Sequence, residues 1–207
     1  MLRTAFAAAL IACAGYTSAS WLTHDFQVWT AEGARRLEVA LQPVTVPDVR
    51  IEGPGLSPQP LANWLAAPGR VTVADFIYTR CETLCLSLGD TFQQMQRRLQ
   101  EGDSGVRLLS ISFDGKHDTH SRLATYASAM GADPKLWQFV RVADADESAA
   151  LLRRMQVVVI PDGRGNYEHN AALLVLDAQG RLERVFDQGE SELALNYARH
   201  LASKSGT

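Results

Sequence analysis

Apolar runs alternate with amphipathic stretches from Val71 onward, and this alternation limits the possible folds more than any other feature. The runs are short enough for strands, and the stretches between them have helical spacing. The predicted strands are 71–78, 106–113, 139–142, 171–176 and 182–186, and the predicted helices are 84–99, 121–130, 147–155 and 191–202. Alternation predicts parallel pairing, whereas the last two strands flank a turn and predict an antiparallel hairpin. We therefore predict an α/β fold with a central mixed sheet flanked by helices.

The stretch before Val71 contains a short helix and an extended connector. Residues 30–42 have a helical pattern, and Thr30 is a suitable N-cap. Six of the eight prolines follow between Pro43 and Pro68, which predicts an extended segment with a hairpin around residues 49–55. We assign residues 25–45 to a short helix and linker and residues 46–207 to one folded domain.

Residues 1–24 form a separate apolar segment. After Arg3 no charged residue occurs until Asp25, so residues 4–24 are long enough to cross a bilayer as a helix. Three interpretations remain open: an uncleaved membrane anchor, a signal peptide cleaved near residues 17–19, or lipidation at Cys13, which follows a lipoprotein-like Leu-Ile-Ala sequence. Each interpretation predicts that the domain is exported to the non-cytoplasmic side of a membrane.

Two cysteines mark the junction between the first predicted strand and helix. The chain has three cysteines, and because the third is Cys13, the pair Cys81 and Cys85 is isolated and belongs to no disulfide framework. A helix N-terminus favours thiolate over thiol, and a spacing of four residues puts both sulfurs on one side of a helical turn. Such a pair suits Cu(I) or a reversible disulfide. Two buried structural cysteines are the alternative.

A histidine precedes one of the later predicted strands. His169 lies shortly before strand 171–176, from where it could face the loop that carries the cysteines. The alternative is a surface histidine in a polar turn. The glycines of residues 162–165 are followed by no helix, so this segment is interpreted as a loop and not as a phosphate site. The net charge of −3 and the absence of a long basic run argue against binding to nucleic acid.

Three motifs together resemble the Sco/SenC family over residues 46–201. They are the sequence Phe-Ile-Tyr-Thr-Arg-Cys-Glu-Thr-Leu-Cys at 76–85, the segment 110–114 followed by Asp118-Thr119, and Glu168-His169 before a strand. The resemblance implies a thioredoxin-like domain that is membrane-tethered or soluble in the periplasm. It also implies that Cys81, Cys85 and His169 bind copper, and that Cys81 and Cys85 form a disulfide when oxidised. The implied role is to help build the copper centre of cytochrome c oxidase, with the copper-site subunit of that enzyme or another copper chaperone as partner.

The chain departs from the family pattern at four positions and keeps all three implied ligands. Glu82 and Leu86 replace the prolines that usually follow the cysteines, Glu168 replaces an aspartate, and Gly115 replaces a proline. In ordinary thioredoxin-like oxidoreductases a cis-proline faces the thiols, and here residues 168–170 take that position.

This replacement favours copper binding over dithiol exchange, and a structural zinc site would need a fourth ligand. We expect a binding protein and not an enzyme. The alternative is a thiol-disulfide oxidoreductase that reduces an exported copper protein. Asp118 and Thr119 are predicted to cap the helix at 121–130.

Overall fold

A computed structural model of the protein describes residues 2–66, 70–81, 84–102 and 105–205, with the backbone alone at 84–86 and 205. Within these residues the chain forms ten strands and seven α-helices. The strands are β1 (Val44–Thr45), β2 (Arg50–Gly53), β3 (Leu56–Pro60), β4 (Val71–Ile77), β5 (Val106–Ser112), β6 (Trp137–Arg141), β7 (Val159–Pro161), β8 (Tyr167–His169), β9 (Leu173–Leu176) and β10 (Arg181–Phe186). The helices are α1 (Leu2–Leu22), α2 (Ala31–Leu41), α3 (Leu61–Leu65), α4 (Leu84–Gln100), α5 (His120–Ala129), α6 (Ala145–Arg154) and α7 (Ser191–Ser205).

Eight of these strands form one mixed sheet in the order β1-β10-β9-β4-β5-β6-β2-β3. The strands β4, β5 and β6 are parallel, whereas β9 pairs antiparallel with β4 and β10 pairs antiparallel with β9. This arrangement confirms the predicted mixed sheet, parallel in its centre and ending in an antiparallel hairpin. The strands β7 and β8 pair only with each other and form a separate two-stranded sheet.

The strand β4 is the centre of the fold because it is covered on both faces. All seven of its residues are buried, which explains why it reads as a nearly continuous apolar run. On one face it packs with Phe92 of α4 and Ala198 of α7. On the other face the core includes Val39 of α2, Leu65 of α3 and Leu151 of α6. The residues that follow β4 are therefore attached to the most buried strand of the domain.

The connector contributes to both edges of the sheet. The predicted helix is confirmed as α2, and the hydroxyl oxygen of Thr30 accepts a hydrogen bond from the backbone N–H of Gly33 at 3.0 Å. The predicted hairpin is confirmed as β2 and β3, which form the edge beyond β6. At the opposite edge β1 pairs with β10.

The N-terminal apolar segment is a single helix without buried residues. Among the described residues, α1 is the one helix that is long and apolar enough to cross a membrane. Cys13 is exposed on this helix. None of its 21 residues is buried, so packing within the described part of the chain does not remove this apolar helix from water.

Candidate metal centre

Cys81 lies at the end of a short turn that follows β4. Its backbone N–H donates to the carbonyl of Tyr78 at 3.2 Å, and its side chain is 7% exposed within the core that α4 covers. The helix α4 begins at Leu84, so the backbone of Cys85 belongs to its first turn. The predicted strand-to-helix junction is therefore confirmed. The side chain of Cys85 and residue Glu82 lie outside the described residues, as does the side chain of Leu86.

The turn before Cys81 is held by a buried carboxylate. Asp118 accepts hydrogen bonds from the backbone N–H of Thr79 at 2.9 Å, from its hydroxyl at 2.5 Å and from the hydroxyl of Ser112 at 2.6 Å. The prediction that Asp118 caps the following helix is wrong, because its carboxylate faces this turn. Thr119 alone is the N-cap of α5, and its hydroxyl oxygen accepts from the N–H of Arg122.

A second carboxylate joins the same turn to the segment after β5. Asp114 pairs with the guanidinium of Arg80 at 2.7 Å and with Nδ1 of His117 at 2.8 Å. Burial alone would raise the pKa of Asp114, but the hydrogen bonds from His117 and Arg80 outweigh it and hold that pKa below its usual value. Residue 80, next to Cys81, is thus tied to the sheet by a charged contact.

The glycine after Asp114 is required by its surroundings. A Cβ atom at Gly115 would lie 2.1 Å from the backbone oxygen of Val142, which no real side chain tolerates. The carbonyl of Gly115 itself accepts a hydrogen bond from the guanidinium of Arg141 at 2.7 Å. The close approach of the chain after β6 therefore explains why neither proline nor any other residue with a Cβ fits here.

His169 is the last residue of β8, in the two-stranded sheet that we call the histidine hairpin (β7, residues 162–166 and β8). It pairs with Val159, and the loop at its tip is closed by Asp162, whose carboxylate accepts from the N–H groups of Arg164 and Asn166. The interpretation of 162–165 as a loop is confirmed. The predicted strand at 171–176 is confirmed as β9, which begins two residues later than predicted, at Leu173.

The imidazole of His169 lies among aromatic rings and close to Cys81. Its ring centroid is 5.4 Å from that of Phe113 and 6.4 Å from that of Tyr78. Burial lowers the pKa of His169, and this effect outweighs the opposite influences of Cys81 and of the Asn170 backbone. The imidazole is therefore neutral at neutral pH, which is the form that binds metal ions.

The hydroxyl of Tyr78 connects the two sides of the site. It donates to the carbonyl of Tyr167 at 3.0 Å and accepts from the N–H of the same residue at 3.2 Å. The two rings are in edge-to-face contact at 5.2 Å. Sequence reasoning assigned no role to Tyr78, since a tyrosine at the end of an apolar strand reads as core.

The structure thus brings two of the three predicted site residues together. Cys81 and His169, separated by 88 positions in sequence, are close enough for an electrostatic interaction. Their donor set, a soft sulfur and a neutral imidazole nitrogen, suits copper. Among the described residues no three His, Cys, Asp or Glu side chains form a group that could hold a metal ion. The Cys85 side chain lies outside these described residues.

Comparison with known proteins gives a consistent result. The family model described as SCO1/SenC matches residues 63–202. A SCO1 protein homolog from Bacillus subtilis strain 168 is 26% identical over 125 residues, which cover 59% of this chain and 65% of that protein. The chain therefore spans slightly less than two thirds of the length of this relative.

Solved structures show the same fold. The crystal structure of a SCO1/SenC family lipoprotein from Bacillus anthracis superposes with a TM-score of 0.69 at 20% identity, covering 78% of this chain and 98% of that one. The structure of Bradyrhizobium japonicum ScoI with copper bound gives 0.63 at 21% identity, covering 76% and 99%. The predicted thioredoxin-like fold is thereby confirmed.

Proposed function

The chain belongs to the SCO1/SenC family, and from this membership and the geometry of its site we propose that it is a copper-binding assembly factor. It would hold copper through Cys81, Cys85 and His169 and help to mature the copper centre of cytochrome c oxidase. The observation that carries the proposal is the position of the His169 imidazole beside Cys81, although 88 residues separate them.

The chemistry of the proposed ligands supports copper over other metals. Two thiolates and one imidazole give Cu(I) a three-coordinate site of mostly soft donors and leave room for a further ligand on Cu(II). The position of Cys85 in the first turn of α4 favours its thiolate form, because the helix dipole stabilises negative charge there. The lowered pKa of His169 keeps its nitrogen available without competition from a proton.

The α1 helix supports attachment to a membrane. None of its residues is buried, and it has the span of a bilayer core. We propose that it tethers the domain on the periplasmic side, where the copper-site subunit of the oxidase or another copper chaperone would be the partner. A signal peptide or a lipid at Cys13 gives the same location.

Transfer of copper to a partner requires access to the site. Val158 and Ile160 at the histidine hairpin are each 56% exposed, and an open cleft of about 520 Å³ beside the hairpin is lined in part by Phe113, Val159 and Tyr167. A partner could approach here and take the metal by ligand exchange, with its own ligands replacing His169 before the thiolates.

Copper titration of the full chain in detergent micelles tests the proposal. We expect one copper per chain, a thiolate charge-transfer band for Cu(II), and a loss of that band with at least about tenfold weaker binding in His169→Ala. The matched control is His200→Ala, which changes an exposed histidine on α7. Unchanged binding in His169→Ala would show that the ligand assignment is wrong.

The same samples test the alternative function. A thiol-disulfide oxidoreductase would bind copper weakly, cycle readily between the dithiol and the Cys81–Cys85 disulfide, and reduce a peptide taken from a copper-protein target. Turnover without tight copper binding would replace our proposal with this one.

A further inference from the structure

The helix α2 contacts Asn170, the residue directly after the histidine hairpin. We propose that Glu32 of α2 is a positioning residue for His169. The inference rests on the proposed function, since it concerns the same copper site. It assigns a role to a helix that lies outside residues 63–202, the part of the chain that matches the family model.

The contact begins at a buried arginine. Arg35 is 5% exposed, and its guanidinium donates to the backbone oxygen of Met155 at 2.9 Å and to Oε1 of Glu32 at 2.9 Å. Burial lowers the pKa of Arg35, and Glu32 opposes that effect. The Glu32 side chain is 34% exposed, so the pair is only partly buried, but without Glu32 the buried Arg35 would lose its charged partner. Arg35 therefore holds the Glu32 carboxylate in one orientation.

The second oxygen of Glu32 faces the residue after the proposed ligand. Asn170 donates from Nδ2 to Oε2 of Glu32 and to the carbonyl of Gln156, both at 3.3 Å. Its Oδ1 accepts from the N–H of Val158 at 2.7 Å, and its own N–H donates to the carbonyl of Val158 at 3.3 Å. The Asn170 side chain thus closes the base of the hairpin.

This network determines where the imidazole lies. A two-stranded sheet with strands of three residues has little stability of its own, so its orientation depends on contacts with the rest of the domain. His169 and Asn170 are adjacent, and a change in the Asn170 backbone moves the His169 ring relative to Cys81. The series of hydrogen bonds from Met155 through Arg35 and Glu32 to Asn170 is a second support for His169, in addition to Tyr78.

The network also links the site to the N-terminal segment. The helix α2 begins nine residues after the end of α1, from Leu22 to Ala31. The segment that connects the apolar helix to the domain is therefore the segment that supports the histidine.

The helix α2 is also attached to the domain through Arg36, and this attachment provides a matched control. Arg36 donates to the carbonyl of Val185 at 3.2 Å and pairs with Asp187 and Glu190, near β10 and away from the histidine hairpin. Glu190→Gln weakens this attachment of α2, while Glu32→Ala and Asn170→Ala remove the one to the hairpin.

Hydrogen exchange and copper binding of the full chain in detergent test the inference. In the copper-free protein we expect amides of residues 157–170 to exchange about fivefold faster in Glu32→Ala and Asn170→Ala, and at the wild-type rate in Glu190→Gln. With copper, we expect about tenfold weaker Cu(II) binding and a shifted charge-transfer band in the same two variants only.

The two measurements separate the possible failures. Wild-type exchange in Glu32→Ala, together with an unshifted Cu(II) band, would overturn the positioning role. A wild-type chain that binds no copper would overturn the proposed function, while the exchange rates would still decide whether α2 positions the hairpin. Should Glu32→Ala fail to fold because Arg35 loses its partner, Asn170→Asp tests the same contact from its other side, because it keeps an acceptor for the N–H of Val158 and removes the donor to Glu32.

Discussion

The two sides of the candidate site are built in different ways. The cysteine side consists of β4, the turn 78–81 and the start of α4. It is attached to a strand whose seven residues are all buried between β5 and β9. The histidine side is the histidine hairpin, which is separate from the main sheet and has exposed residues on both of its strands. One side is part of the core, and the other packs on that core only through partly buried residues such as Val159 and Tyr167 and is held by hydrogen bonds.

This difference indicates which ligand moves. Segments with few buried contacts open at low free-energy cost, whereas central strands open only when the whole domain unfolds. The thiol of Cys81 is therefore a fixed point of the site, and the imidazole of His169 is the adjustable one. A site that must both keep and release a metal ion requires one such adjustable ligand.

The first prediction tests how strongly the cysteine side depends on the core, and it concerns Asp75 of β4. Asp75 is 1% exposed, and burial raises its pKa from 3.8 to about 7 against the opposing hydrogen bond of Ser110. The pKa of Asp75 is higher in the folded than in the unfolded protein. Its contribution to the free energy of unfolding is therefore complete below pH 4 and is lost as the pH rises through 7. At about 1.4 kcal/mol per pKa unit, the wild type loses up to about 4 kcal/mol over this range.

Asp75→Asn should remove this pH dependence and raise the free energy of unfolding at pH 8. Urea unfolding at pH 5 and pH 8 measures it, and Asp90→Asn, the same change at an exposed position of α4, is the control. Hydrogen exchange in the histidine hairpin should stay the same. An Asp75→Asn variant with the wild-type difference between the two pH values would contradict the prediction.

The second prediction concerns Asp118, the carboxylate beneath the turn before Cys81. Asp118→Ala leaves the N–H and hydroxyl of Thr79 and the hydroxyl of Ser112 without their acceptor. We expect the free energy of unfolding to fall by about 3 kcal/mol, together with faster alkylation of Cys81. Chemical denaturation and thiol labelling measure the two effects.

Thr119→Ala is the control because it removes only the N-cap of α5. Its expected cost is about 1 kcal/mol, without a change in thiol labelling. Equal costs for the two substitutions would show that Asp118 acts only at the helix terminus, as the sequence alone had indicated.

The central sheet was predictable because buried parallel strands leave a strong local signal. Runs such as 106–112 carry Val, Leu or Ile at four of seven positions, and their pairing follows from the alternation with helices. The cysteine junction was predictable for the same reason, because it lies at the boundary between two such patterns.

The histidine hairpin gave no comparable signal. Strands of three residues are too short to show a period, and Pro161 with two nearby glycines reads as a loop. The carboxylate of Asp118 lies directly before a helix, where local rules favour a cap, and only the tertiary structure turns it towards Thr79. The contact between Glu32 and Asn170 spans 138 positions, so no local pattern contains it.

The last and smallest effect is expected at Tyr78, the residue that joins the two sides. Tyr78 is buried on the cysteine side, and its hydroxyl makes two hydrogen bonds to the backbone of Tyr167 in the hairpin. Tyr78→Phe keeps the ring contacts and removes both bonds, so we expect a loss of only about 1 kcal/mol in the free energy of unfolding. The same amount, about 1 kcal/mol, corresponds to about fivefold faster exchange of the hairpin amides. These amides exchange through a local opening that leaves β4 closed, so they should stay far less protected than those of β4 in both proteins.

Tyr197→Phe is the matched control for this change. Tyr197 lies on α7 and its ring packs against Phe186 of β10, so the same hydroxyl is removed at a place away from the hairpin. If amides of the hairpin and of β4 had the same protection in the wild type and were accelerated equally by Tyr78→Phe, the two sides would open as one unit. His169 could then not adjust independently of Cys81, and the contrast between a fixed thiol and an adjustable imidazole would be lost.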